Sequence, residues 1–355
     1  MVNLYKWIFH RYGAIVENSE NFEKPLLNNA NHIARILYRL TEYRCLSWHR
    51  LCHGVPIQDI ILSEFPLIAP CHLAPAIVTF EFTNHCNLQC VYCDNRLNLR
   101  PKGFMHRDTF VNVVAGIKKL GVKRVRVVGN GEATLHPDFD SFMTEIGSTN
   151  AYVSVLTNGQ WRHQEDTINT MLTAKVNMVE FSVDTVTKKG YERSRQGGSF
   201  ERLLSNLQHF KEAKKKQRSQ VITNIRLMLR PSERRIEWKL KAFWSNYADI
   251  VMPQYLCEKR SISYNEDLYR PIQFNEQSYP NCKEPFTQLG ITWNGDVPLC
   301  SLSADQIGEP GLILGNVTSS TIGQLWNSKV LHQYRRGHRN RETSKMAMCK
   351  GCVGM

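Results

Sequence analysis

The sequence offers no uninterrupted apolar run of about 18 residues, the length a membrane-spanning helix needs. Its nearest approach, ILSEFPLIAPCHLAPAIVTF at residues 61–80, is broken by Glu64, Pro66, Pro70 and Pro75. The opening segment, NLYKWIFHRYGAIV, lacks the long apolar centre and small-residue cleavage site of a secretory signal, so a cytoplasmic location is expected. Internal repeats and low-complexity tracts are missing as well. Acidic residues are in short supply: 32 Asp and Glu face 45 Lys and Arg, a formal net charge of +13. Much of the excess sits in KEAKKKQR (211–218), RPSERRIEWKLK (230–241) and HQYRRGHRNR (332–341). Basic runs recruit nucleic acid, anionic lipid or phosphorylated molecules, or else coat solvated helix faces. No nucleic-acid-binding motif accompanies them, so no nucleic-acid partner is expected, while peripheral contact with a membrane surface stays open.

Histidines at zinc-finger spacing are also absent, and the 11 cysteines are an odd number. A disulfide framework is therefore a poor fit, and reducing surroundings leave thiols available for metal. Seven of the cysteines form two groups: Cys86, Cys90 and Cys93, then Cys282, Cys300, Cys349 and Cys352. Thiolate-rich sites of this kind belong to iron–sulfur chemistry or to zinc.

With 355 residues, 42% of them hydrophobic, the chain can bury a large core and exceeds a usual single domain. Residues 1–75 read as a helical extension, with ANHIARILYRLTEYRCLSWHRLC (30–52) spacing its apolar residues helically. From residue 76 to 256, strands and helices alternate. The strand candidates are AIVTFEFT (76–83), RVRVVGNGE (124–132), VSVLTNG (153–159), VEFSVDT (179–185), VITNIRLMLR (221–230) and DIVMPQYL (249–256). Apolar β-branched runs alternating with helices mean parallel βαβ units. Six of them predict an α/β fold, a partial (β/α)6 TIM-like barrel, with an open doubly wound sheet as the alternative. Either fold collects ligands at the C-terminal ends of its strands, where the first cysteine group, GNGE, TNG and VDT all fall. From 257 to 355 the pattern changes to a small cysteine-rich domain. LGITWNGDVPLC reads there as a hairpin turning at Asn294-Gly295, IGQLWNSKVLHQYRRG (322–337) as one helix, and CKGC stands near the end.

HCNLQCVYC (85–93) places three thiols in eight residues, one short of the four that a cube or a structural zinc site takes. Three can hold three irons of a [4Fe–4S] cluster and leave the fourth iron open; zinc or purely structural cysteines are the alternative. The C-x3-C-x2-C spacing after a first strand, with Tyr92 just before the last cysteine, resembles the radical S-adenosylmethionine (SAM) superfamily over about residues 76–256. The resemblance implies that SAM chelates the open iron and is reductively cleaved to a 5′-deoxyadenosyl radical, which abstracts a substrate hydrogen. It also implies a reductase partner such as flavodoxin or ferredoxin. Asn130-Gly131-Glu132 stands where the family has Gly-Gly-Glu. Asn130 departs from that pattern, and if the position needs a positive φ, Asn is the least costly substitute for glycine. By the same resemblance Ser182 contacts SAM and so does an arginine of YERSRQGGSFE, Arg195 with Arg193 as an equal candidate, while Asn158 reaches the ribose or the substrate, or caps its own turn.

The second group, with LGITWNGDVPLC, the later GNV and the terminal CKGC, resembles the SPASM/twitch domains of radical SAM enzymes. Four thiolates from Cys282, Cys300, Cys349 and Cys352 imply one fully ligated auxiliary [4Fe–4S] cluster, with structural zinc as the alternative. Cys257 follows the sixth strand, where a thiol can return a hydrogen atom to a substrate radical or simply fill space. Asp184 and Glu258 are strand-end carboxylates able to accept a proton. The expected reaction is dehydrogenation or epimerisation of a small, anionic or sugar-like molecule. Two alternatives stand beside it: radical modification of a ribosomal peptide or protein side chain, and a non-catalytic zinc- or nucleic-acid-binding role.

Overall fold

A computed structural model of the chain describes residues 74–97, 100–161, 163–255, 282, 284–300, 312–340, 342–346 and 349. All of them lie in one compact unit, Cys71–Met355. Nearly all of the expected helical extension, and Cys257, Glu258 and Cys352, lie outside the described residues.

The six strand candidates all form strands: β1 (Ile77–Phe80), β3 (Arg124–Val127), β4 (Tyr152–Thr157), β5 (Met178–Val183), β7 (Ile222–Leu229) and β8 (Ile250–Tyr255). They pair in parallel in the order β8-β7-β5-β4-β3-β1, the partial barrel of an α/β fold. Alternate side chains have opposite fates because successive strand residues point to opposite faces. Val78, Val125, Val155, Phe181 and Leu227 are fully buried in the core beneath the helices. The intervening residues, Thr79, Arg126, Ser154, Glu180 and Arg226, make the other face polar, and that face carries the chemistry.

The covering helices include α1 (Arg107–Leu120), α2 (Phe139–Gly147), α3 (Gln164–Thr173), α4 (Lys188–Ser194), α5 (Phe200–Lys216) and α6 (Glu237–Trp244). Helix α1 ends as expected at Gly121, which adopts the left-handed conformation and returns its N–H to Ile117 and Lys118. Helix α5 begins at Ser199, whose hydroxyl accepts the N–H of Arg202. Phe110 of α1 and Phe142 of α2 stack at 3.8 Å in the core, and each buried aromatic of this kind stabilises by about 1.5–3 kcal/mol.

Two expectations are corrected in the C-terminal part. The segment read as a hairpin is a corner: β9 (Gln288–Ile291) joins the barrel sheet in parallel beside β1, and β10 (Asp296–Pro298) pairs antiparallel with β11 (Ile313–Asn316). Asn294-Gly295 does form the turn, with Gly295 at φ +86 and its N–H on the carbonyl of Thr292. The edge of β1 is otherwise open, and Leu289 and Ile291 are buried by occupying it. The single helix expected over 322–337 is two, α8 (Ile322–Trp326) and α9 (Lys329–Arg339). Ser328 caps the second by accepting the N–H of Leu331, and this local bond competes with continuing the first helix. In front of α9 a four-residue helix, α7 (Glu284–Thr287), precedes β9.

Candidate active site

The loop carrying the first three cysteines leaves β1 and is fastened from four directions. Within it, the Cys93 N–H bonds the Cys90 carbonyl at 3.0 Å. Its short strand β2 (Gln89–Cys90) pairs antiparallel with β6 (Arg195–Gln196), which sets the backbone of Cys90 opposite Arg195. The Arg195 side chain, 4% exposed, donates Nε–H to Asp184 at 3.0 Å and Nη2 to the Ser182 hydroxyl at 3.3 Å, and lies 5.6 Å from the centre of the Tyr92 ring. Asp184 also accepts the Ser194 hydroxyl at 2.5 Å. Four expected site residues, Tyr92, Ser182, Asp184 and Arg195, thus form one group behind Cys90, with Asp184 and Arg195 buried and Tyr92 and Ser182 half-buried. Burial also pushes the Tyr92 phenol well above its ordinary value.

The loop after β3 supplies the second fastening. A Cβ on Gly131 would stand 2.1 Å from the Thr83 carbonyl oxygen and 2.6 Å from that of His85. Only glycine lets this backbone close on the cysteine loop, where the Glu132 N–H meets the His85 carbonyl at 2.8 Å. Asn130 does not occupy the left-handed region. The position therefore does not demand glycine, and the conditional reason for Asn there falls away. Its N–H donates to Glu81 at 3.0 Å. Glu132 is buried, which raises its pKa against four hydrogen bonds that oppose the rise. Those bonds come from the Thr134 hydroxyl and N–H, the Thr157 hydroxyl, and the Asn158 N–H at 2.7 Å.

The turn after β4 makes the third. Asn158 donates its side-chain amide to Asn87 at 2.8 Å and stands 3.9 Å from the Cys86 sulfur, while Asn87 donates to the Gln160 carbonyl at 2.8 Å. Asn158 therefore reaches the cysteine loop, and its own carbonyl oxygen caps the turn by accepting the Gln160 N–H.

The fourth fastening was not singled out from the sequence. Residues 100–104 run back beneath the loop as a strap. Arg100 binds Glu81 in a fork at 2.8 and 2.7 Å, Asn84 donates its side-chain amide to the Pro101 carbonyl and accepts the Gly103 N–H, and Lys102 donates to the Asn84 carbonyl at 3.0 Å and to Asn95. One ammonium thus ties a residue before Cys86 to one after Cys93. Glu81, Asn87, Arg100, Lys102 and Gln160 are the residues missed. A charge at 81 within an otherwise apolar strand was the available signal for the first.

Burial pushes the Cys86 thiol up to about 12, with Glu132 adding to the rise, and burial pushes Cys90 up to about 11. Such thiols give up a proton when a metal replaces it. Cys86, Cys90 and Cys93 stand outside any disulfide and are brought together by this one loop, and a cube gives each thiolate its own iron. The donor set fits the cube. In the C-terminal part, Cys300 and Cys349 pack against the core. The Cys349 sulfur lies 3.4 Å from Nε2 of buried His338, whose imidazole is pushed down to about 4 by burial and so stays neutral. His338 too was missed, because it precedes Cys349 by 11 residues.

The Radical SAM superfamily model matches residues 80–238, and the SPASM model, described as an iron–sulfur cluster-binding domain, matches residues 282–353. The antilisterial bacteriocin subtilosin biosynthesis protein AlbA of Bacillus subtilis is 24% identical over 301 residues, covering 76% of this chain and 62% of that protein. The GTP 3′,8-cyclase of Limosilactobacillus fermentum is 27% identical over 147 residues, covering 39% and 43%. The chain thus spans about three-fifths and two-fifths of these two relatives. Among solved structures, Streptococcus suis SuiB bound to precursor peptide SuiA superposes with a TM-score of 0.55 at 15% identity, covering 99% of this chain and 84% of that one. Together the two domains imply a [4Fe–4S] cluster, an auxiliary iron–sulfur cluster and SAM as cofactors. The chain thus carries a radical SAM domain followed by a SPASM iron–sulfur cluster-binding domain.

Proposed function

We propose that the protein is a radical SAM maturase that modifies a side chain of a ribosomally made peptide. The observation that carries this reading is the 301-residue match to AlbA, a bacteriocin biosynthesis protein, which covers 76% of the chain. That is more than the radical SAM domain alone, and the nucleotide cyclase, a small-molecule enzyme, matches only 39%. The sugar-like substrate expected from the sequence gives way to a peptide on this ground. When bound, the first cluster supplies the electron that cleaves SAM. Cys86, Cys90 and Cys93 would hold it, and Cys282, Cys300, Cys349 and Cys352 the auxiliary one.

The protein's own residues have the following roles in this reading. Gly131 lets the loop after β3 approach the cysteines, and Glu132 holds the turns after β3 and β4 together. Asp184 is a positioning residue rather than a base: both of its oxygens already accept, from Arg195 and Ser194, and it aims Arg195 at the rim beside Tyr92 and Ser182. A cytoplasmic setting with flavodoxin or ferredoxin as reductant belongs to the same proposal; no helix among the described residues is long and apolar enough to cross a membrane.

The test uses the full chain, reconstituted anaerobically, with SAM, a strong reductant and the short peptides encoded beside its gene. The expected result is 5′-deoxyadenosine formation stimulated by one peptide, with loss of hydrogen from that peptide by mass spectrometry. Stimulation by nucleotides or sugars and by none of the peptides would overturn it.

A further inference from the structure

Deeper on the polar face of the sheet, three strands bring charges together. Alternation along β3, β5 and β7 turns Val125, Phe181 and Leu227 into the core and leaves Arg126, Glu180 and Arg226 on the other face. The Glu180 carboxylate meets Asn224 Nδ2 at 3.2 Å, Arg226 Nη1 at 3.3 Å and Arg126 Nη2 at 3.7 Å. Arg226 continues through Nη2 to Gln254 on β8 at 2.5 Å.

Two features set this cluster apart from the other buried pairs of the same face. Among the described residues, Glu81 and Asp184 each pair with one guanidinium, those of Arg100 and Arg195, whereas Glu180 is shared by two. The Glu180 side chain is 8% exposed, yet those of Arg126 and Arg226 keep 23% and 26% of their surface open. Glu180 precedes Ser182 and Asp184 on its strand by two and four residues, about 7 and 13 Å of strand rise below the rim. Half-enclosed guanidiniums there are poorly hydrated, and their planar forks match a carboxylate.

We propose that Arg126 and Arg226, held by Glu180, form a carboxylate-binding site on the inner wall of the barrel, and that its ligand is an acidic residue of the substrate peptide. The ligand's source rests on the peptide reading above; the site itself does not.

Binding to the cluster-loaded, SAM-bound full chain is measured by saturation-transfer NMR with capped glutamate (N-acetylglutamic acid amide), its glutamine isostere, and glutarate. The expected result is capped glutamate binding at least about tenfold tighter than capped glutamine, a modest figure for a charge-assisted fork. Arg226→Gln abolishes that preference. Glu180→Gln strengthens glutamate binding, because it removes the competing carboxylate while keeping the side chain's shape. A trio that serves only the fold would weaken with either substitution. Where Arg226→Gln fails to load its cluster, Arg126→Gln repeats the test. Equal binding of the two capped probes, binding of neither, or a preference that survives the arginine substitution overturns the site. Glutarate binding as tightly as capped glutamate upholds the site but counts against a peptide as its ligand, so the two readings fail separately.

Discussion

Glu81 follows the last residue of β1 and is buried, yet it holds partners from three distant segments: the Arg100 fork, the Asn130 N–H and the Trp293 N–H at 3.3 Å. Removing one member of a buried ion pair leaves the other uncompensated, at a cost of about 3–5 kcal/mol. Glu81→Ala and Arg100→Met are each expected to lose that much in anaerobic urea unfolding, and the double variant less than the sum. Additive losses would show that the fork is not a coupled unit. Gly131→Ala is expected to displace the loop after β3, because its new Cβ meets the Thr83 carbonyl; iron bound per chain after reconstitution should fall, with helix content by circular dichroism unchanged. His136 gives a pH effect of definite sign. Its Nδ1 accepts the Asp138 N–H and its Nε2–H donates to the Met105 carbonyl, so the neutral ring satisfies both partners. Burial lowers its pKa accordingly. The unfolded ring titrates near 6.5 and the folded ring lower, so the unfolded state binds more protons between the two values, and stability falls as pH drops through that window. His136→Asn is expected to flatten the decline in Tm between about pH 7 and about pH 5; an unchanged slope would remove His136 as its source.

Among the elements, the strap at 100–104 does for the cysteine loop what β2–β6 pairing does on the other side. Lys102 spans the loop's two ends, and Lys102→Met is expected to lower cluster retention during gel filtration while leaving the apo chain's unfolding free energy within about 0.5 kcal/mol of wild type. Retention equal to wild type would mean the ammonium does not hold the loop. The strap also shows where the sequence stops being readable. The six barrel strands were legible because each alternates or runs apolar between helices, and the cysteines because three thiols in eight residues have few other uses. RPKGF has no periodicity, and its bonds go to residues 7 to 20 positions away, so nothing local marks it. The partner of β9 was hidden for the same reason, since Asn294-Gly295 announces a turn but not which strand the first arm pairs with. Arg126, Glu180 and Arg226 were visible in RVRVV, VEFSV and NIRLM as charged members of a polar series at every second position. Read as strand-end motifs alone, those segments hid the charges that lie deeper along the polar face.

At the scale of the whole described unit, the SPASM segment and the barrel are joined by more than the chain between them. β9 extends the barrel sheet, with the Glu81 N–H bonded to the Ile291 carbonyl at 2.8 Å. The Trp293 ring packs on Gly103 of the strap, and Ile322 of α8 packs on Gly116 of α1. Leu289 and Ile291 are each 2% exposed, so separating the two parts would uncover apolar surface and an open β1 edge together. The barrel and the SPASM segment should therefore unfold as one cooperative unit. In anaerobic urea titration, tryptophan fluorescence, circular dichroism and iron–sulfur absorbance are expected to change at a single midpoint. Leu289→Asp places a charge where β9 meets the core and should move all three signals to lower urea in step, by several kcal/mol. A variant that loses the auxiliary cluster at low urea while the barrel keeps its wild-type midpoint would show instead that β9 is only laid against the sheet. In that outcome Trp293 and Glu81 would no longer link the C-terminal segment to the cysteine loop.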